Sequence, residues 1–539
     1  MEVTNDFVVL CLPPPSEDDL LFTEKKNLLS RKTIDLNFRV RVSLTHEEAT
    51  HILDLIVQAA RILHLNEIEL YFIGDHESGM LNPRNELESL NLILFVINSL
   101  LPGAQADEVG VLLMLQAETI NMIKCVGAKC DGGIITEEGN SDAEDRLLQW
   151  GQDHGVKTKL QLAHFEGAGR GAVASEDVVI GETVLEIPES LLICDNDVYK
   201  SDMFDIMEMS GINDETMLLL WSMREISNPK SKFKAYFEAL PTEFNTGLSF
   251  GIIALTNLEG TLLVEEILQA KEHLRNEYEA LQCKLLSNHP EVFEKELYTW
   301  ECYLWACELW YSNSMKVVFS DGKLKTCLVP IAGFLNHSLV PHILNYGRVD
   351  SATKSLKLRV SRPCMRGEQC YLSYGNFSSS HLVTFYGFFL KGDNFYDVIP
   401  LDFDTPQTGC GDWSTHMVQG TWLSRSKDPH SYGLPDPLLS YLRTTLKDDD
   451  VGSSTQIPGH TDLTTETERA VLEMIISIFD PMMKNLDMPD DDDGSENPSW
   501  DVTLAMDFKA RQKIIISSVL QSCYGGLQLL DGIESSNAS

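Results

Sequence analysis

The stretch FLNHSLVPHILNYG, residues 334 to 347, decides how this chain is read. Asn336, His337 and Ser338 spell an N-glycosylation acceptor if the protein is secreted, and a polar turn if it is not. Cysteine usage bears on the choice. The twelve cysteines are scattered singly, with Cys125/Cys130, Cys302/Cys307 and Cys364/Cys370 the closest pairs and none at C-x-x-C spacing. Neither a disulfide framework nor structural zinc is expected from that pattern. The first residues, MEVTNDFVVLCLPPPSEDDL, lack a basic leader segment, and their acidic side chains oppose an organelle transit peptide. The apolar run LNLILFVINSLL is too short and too interrupted to span a bilayer. A reducing cytoplasm or nucleus is expected, with no membrane, and the sugar reading of Asn336 loses its compartment.

The chain has 539 residues, more than one ordinary hydrophobic core accommodates, so several domains are expected. The 81 acidic against 42 basic residues leave a formal charge of -39, which repels phosphate backbones and anionic lipid. Direct nucleic-acid binding is therefore not expected. The field favours a basic or lysine-containing protein partner, although acidic surfaces also serve solubility alone.

Working outward, residues 1–145 read as an α+β lobe and acidic linker with no recognisable chemistry. FRVRVSL and IELYFIG read as strands, and THEEATHILDLIVQAARILHL reads as a helix opened by a Thr45/Glu48 capping box. The acidic segment SEDDL is expected to be disordered, as is the run Asp490 to Asp493. GAKCDGGIITEEGNSDAEDR has the composition of a linker. From residue 157, short β segments (KLQLAHF, AVASEDVVI, ETVLEIP) alternate with Gly-rich turns, and strands return at LVPIAGFL, LKLRVS and QCYLSYG. Between them, residues 195–312 read as helical, too long an interruption for a loop. Beyond residue 391 the pattern is mostly helical.

EGAGRG, residues 166–171, lacks the G-x-G-x-x-G spacing of a dinucleotide site and is followed by a strand, so a hairpin turn fits it better. Taken with N-H-S and with SYGNFSSSHLVTFYGFF, it resembles the SET-domain methyltransferases, in particular the Rubisco-methyltransferase-like group. GRGAVASEDVVIGETVLEIPESLLI resembles the first SET segment, KFKAYFEALPTEFNTGLSF the insertion, and AMDFKARQKIIISSVL the C-terminal helical lobe. The implied class is α+β: a SET β-fold over residues 146–390 (minimal SET 157–375) with a helical insertion, an α+β N-terminal lobe, and a helical C-terminal lobe over 391–539 suited to substrate docking.

The resemblance implies S-adenosyl-L-methionine as cofactor, no metal, and methyl transfer to a lysine of a protein substrate. Tyr374 would be the catalytic hydroxyl. Ala168, Gly169 and Arg170 would contact the cofactor's methionine end through their backbones, Asn336 and His337 would hold its amino group and adenine edge, and Tyr386 would close over it. Three positions depart from the family pattern: Gly333 stands where many relatives carry an acid, Asn313 where they often carry arginine, and His342 where N-H-S-x-x-P-N expects asparagine. Asn313 and His342 are candidates for the substrate channel, with a purely structural role the alternative for His342. A histidine acceptor, or a scaffold that has lost catalysis, are the competing readings.

Overall fold

A computed structural model describes residues 6–537 except 74–78, 81, 129–133, 139–140, 391, 404–412, 414, 421–427, 447–462 and 487–497. The Asp490 to Asp493 run thus lies outside the described residues. The chain divides into two compact units. One unit comprises residues 1–65, 80–244 and 271–375, and the other comprises 66–79, 245–270 and 376–539.

In the first unit, Phe7–Cys11 pairs antiparallel with Asn37–Arg41, placing Val8 opposite Val40 and Leu10 opposite Phe38. The alternation sends Val8, Leu10 and Val40 inward. There they meet the helices His46–Leu63, Pro83–Leu100 and Ala106–Gly127. The Thr45/Glu48 capping box forms, Thr45 N–H donating to Glu48 Oε2 at 2.9 Å and Glu48 N–H to Thr45 Oγ1 at 3.4 Å. Among the described residues, Ala106–Gly127 is the one helix long and apolar enough to cross a membrane. It is a core helix here, burying Val111, Leu112, Leu115 and Ile123. The same core includes Val340 and Leu344, from the stretch that opened the sequence reading.

Three expectations for this end of the chain are corrected. IELYFIG is not a strand: Asn66 and Glu69 form a capping box, and Glu67–Phe72 is a helix belonging to the second unit. SEDDL is a structured turn in which Asp19 Oδ2 accepts from the buried Lys25 Nζ at 2.6 Å. The expected linker contains the strand Ile135–Glu138, paired with Leu160–Phe165.

Leu160–Phe165 also forms a hairpin with Gly169–Ala174, closed by the Phe165/Gly169 pair. Thr183–Pro188 lies between Ser355–Arg359 and Lys157–Thr158, with Val349–Asp350 at the far edge. Ser314–Val318 pairs with Leu324–Leu328. The interval between these β segments is helical as expected, from Asp195–Tyr199 through Trp300–Asn313. The two β-rich segments thread through each other: Cys370 N–H donates to Ala172 O at 2.8 Å, and Leu372 N–H to Asn336 O at 2.8 Å.

In the second unit, Ile399–Leu401 pairs with His416–Val418. Asp436–Thr445, Thr465–Leu486 and Trp500–Asn537 pack as helices around Leu439, Leu472, Ile475, Phe479 and Val519. The fully buried Glu468 carboxylate accepts from Arg443 Nε and Nη2 and from Tyr432 Oη, so no charge is left uncompensated in that core.

Candidate functional site

The hairpin turn at residues 166–169 requires glycine. Gly167 and Gly169 have φ of +72° and +65°, and a Cβ at either would meet nothing within 4 Å. Ala168 and Gly169 are exposed, so this backbone is open to a ligand's approach. Gly171 answers a different constraint, since a Cβ there would stand 2.5 Å from Gln369 Nε2 and 2.7 Å from the Phe165 ring. Arg170 turns its side chain away from the turn. Its Nη1 donates to Ala239 O at 2.7 Å and to Glu144 Oε1 at 3.3 Å, while its carbonyl accepts from Asn336 Nδ2 at 2.9 Å.

His337 and Tyr374 stack with ring centroids 5.2 Å apart. The Tyr374 amide donates to His337 Nδ1 at 3.1 Å, and Tyr374 Oη donates to Leu335 O at 2.9 Å. Burial pushes the His337 imidazole down to about 4 against a hydrogen bond to the Leu372 backbone, and the charge of Arg84 acts in the same direction as burial. The ring is therefore neutral at physiological pH. Arg170, Asn336, His337 and Tyr374 thus converge, although residues 170 and 336 are far apart in sequence.

Just before this cluster, the buried Ile331 has φ of +71°, a conformation that costs a β-branched residue roughly 1–3 kcal/mol. Its side chain fills the space left by Gly151, where a Cβ would come within 2.5 Å of Ile331 Cδ1. Nothing in the residue types announces this strained step.

His342 is wholly buried and lines no surface. Its Nδ1 accepts from the Tyr371 amide at 3.0 Å, which leaves the proton on Nε2, directed at Glu368 Oε1 at 3.0 Å. Arg362 Nη1 and the Met365 amide also donate to Glu368. Potential ligand atoms of His342, Cys364 and Cys370 lie within 4.8 Å of one another, a donor set of the kind that binds zinc. A metal on Nε2 would have to displace the proton that Nε2 gives to Glu368, so the geometry describes a hydrogen-bonded brace, as in the structural alternative for His342. Asn313, the other channel candidate, donates from Nδ2 to Ser312 Oγ at 2.7 Å, and its Oδ1 lies 3.2 Å from where a Gly333 Cβ would stand.

Tyr386 belongs to the second unit, with ring centroids 5.8 Å from Phe377 and 6.0 Å from His381. Gly387 beside it has φ of +71°, and a Cβ there would stand 1.5 Å from Asn245 O, so only glycine fits.

The SET-domain family model matches residues 169–375, the segment from the hairpin glycine to the residue after Tyr374. These residues are a SET domain. The SET domain with its surroundings is similar in fold to solved structures of Rubisco LSMT bound to AdoMet and of the SET domain of LSMT bound to lysine and AdoHcy. Each has a TM-score of 0.55 and 20% identity, covering 73% of this chain and 94% of that one. Curated relatives include the actin-histidine N-methyltransferases of Canis lupus familiaris, 24% identical over 51% of this chain and 47% of the relative, and of Danio rerio, 24% identical over 52% and 48%. The chain thus spans about half the length of the curated relatives it matches.

Proposed function

We propose that the chain is an S-adenosyl-L-methionine-dependent protein methyltransferase acting on lysine. The observation that carries this is the junction of Asn336, His337 and Tyr374 within a SET domain, in a site with a neutral histidine and a tyrosine hydroxyl bonded to a backbone carbonyl. The residues present fit the cofactor. The open backbone at Ala168 and Gly169 would take its amino-acid end, while Asn336 and His337 would offer polar groups to its amino group and adenine edge.

When bound, the cofactor supplies an electrophilic methyl group on a sulfonium. The chain's task is to orient an uncharged nitrogen towards it. Tyr374 Oη gives its proton to Leu335 O, so its oxygen would serve as an acceptor for an N–H of the incoming amine. A lysine ammonium, with a pKa of about 10.4, must lose its proton first, and removal from water favours that loss. The neutral His337 adds no charge to the site.

A histidine acceptor is the second reading, supported by what the curated relatives methylate. Calorimetric titration of the full chain with S-adenosylmethionine is expected to show micromolar binding that Asn336→Ala abolishes; no heat from folded protein would favour a scaffold instead. Protein substrates labelled with radioactive cofactor and hydrolysed to amino acids would then separate methyl-lysine from methyl-histidine.

A further inference from the structure

The N-terminal lobe lies outside the SET match, yet it places one side chain against the residue preceding Tyr374. Arg84 Nη1 donates to Ser373 Oγ at 2.5 Å. Ser373 is buried, and each of its polar groups is engaged, two by the stretch 343–346 and one by the N-terminal lobe. Its amide donates to Ile343 O at 3.0 Å, its carbonyl accepts from Tyr346 Oη at 2.8 Å, and its hydroxyl accepts from Arg84. The next amide is the Tyr374 N–H that meets His337.

Arg84 is itself held in place. It sits in the first turn of Pro83–Leu100, a helix start fixed by the buried Asn82, whose side chain accepts from the Asn85 amide at 2.9 Å. Arg61 clasps Glu86 in the same turn through Nε at 2.6 Å and Nη2 at 2.9 Å. Glu88, one turn on, accepts from Arg84 Nε at 3.1 Å. A cation in a first helical turn opposes the helix dipole, and Glu88 with Ser373 offsets that cost. Farther along the helix, Asn91 Nδ2 donates to Ser361 O at 3.0 Å, a second latch onto the same SET segment.

We propose that Arg84 is a positioning residue for Tyr374: by clamping Ser373 Oγ, it fixes the backbone from which the tyrosine presents its hydroxyl. The consequence for catalysis rests on the methyltransferase reading above; the clamp itself does not. A merely structural latch would spread its effect over the whole first unit. A positioning residue acts on one segment and on the turnover step.

The test uses full-length protein as Arg84→Ala, Arg84→Lys, Ser373→Ala and the Arg84→Ala/Ser373→Ala double variant. Turnover is expected to fall on the order of 10–100-fold in Arg84→Ala, as misplacing a reacting group by about an ångström does. The KM for cofactor is expected to stay within about twofold, and Arg84→Lys to recover part of the loss. The double variant should be no worse than the more damaged single one, because both remove the same bond. Turnover in Arg84→Ala within about twofold of the parent, or additive losses, overturns the proposal.

Should the Arg84 variant fold poorly, Ser373→Ala removes the same bond from the other side. Amide hydrogen exchange decides the clamp without any activity. Faster exchange confined to residues 372–374 in both single variants supports it, and an equal rise across the Ser355–Arg359 strand overturns it. A parent chain that methylates nothing while the exchange result stands would refute the methyltransferase reading and leave the clamp intact.

Discussion

Gly333 and Asn313, identified separately as departures from the family pattern, are spatial neighbours, with Asn313 Oδ1 at 3.2 Å from the point a Gly333 Cβ would occupy. Neither residue carries a charge in this chain. On the methyltransferase reading proposed above, Tyr374 is the residue on which the chemistry depends. Tyr374→Phe is expected to lower turnover at least about a hundredfold while leaving S-adenosylmethionine affinity within about twofold, as measured by initial rates beside calorimetry. Loss of its hydrogen bond to Leu335 O should cost stability only about 1 kcal/mol. Asn336, His337 and Tyr374 stood out in the sequence only through the joint order and spacing of their motifs, since each alone reads as an ordinary turn or strand residue. The contribution of Arg84 was not legible, because an arginine between Pro83 and Asn85 in a polar helix start looks like any solvated cation.

The segment from Cys364 to Tyr374 lies outside the regular strands and is held by backbone hydrogen bonds to Val178, Ala172, Asn336 and Ile343 together with its side chains. Glu368 anchors it. Burial alone would raise this carboxyl, but the hydrogen bond from His342, the Met365 amide and the charge of Arg362 outweigh burial and hold it at about 2. Its folded value lies below the unfolded value of about 4.3. The resulting stability is full above pH 4.5 or so and is lost as pH falls through about 2. Denaturant unfolding of Glu368→Gln should therefore show a flatter decline between about pH 4.5 and 2 than the parent, and an unchanged slope there would remove Glu368 as the anchor. His337 carries the same sign in another window. Its value is depressed from 6.5 to about 4, so burying it neutral contributes stability that fades between those values as the solution is acidified. Elements were misread where a local cap overrode a β-like composition, as Asn66 and Glu69 do for IELYFIG. They were also misread where one distant partner ordered an acidic stretch, as Lys25 does for Asp19.

At the scale of the molecule, the N-terminal lobe is continuous with the SET domain, and is no appendage. Val340 and Leu344 complete its core, and Arg84 and Asn91 reach the second SET segment. Deleting residues 1–127 should strip the cover from two buried apolar side chains, worth roughly 1.5–3 kcal/mol each, and break both latches. Loss of S-adenosylmethionine binding in calorimetry is expected; unchanged affinity would show the lobe to be separable. The sequence by itself determined the class: the order EGAGRG, FLNHS, LSYG, FYGF and the helical interval marked a split β framework, because those glycines and polar residues have few other uses in combination. Only the tertiary structure decided that His342 is a buried brace, that Ile331 carries a strained backbone before the clamp, and that Arg84 reaches Ser373 across 289 residues. Such roles follow from which groups meet in space. Local composition encodes helix caps, turns and strand alternation, whereas a hydrogen bond between distant residues leaves no periodicity to read.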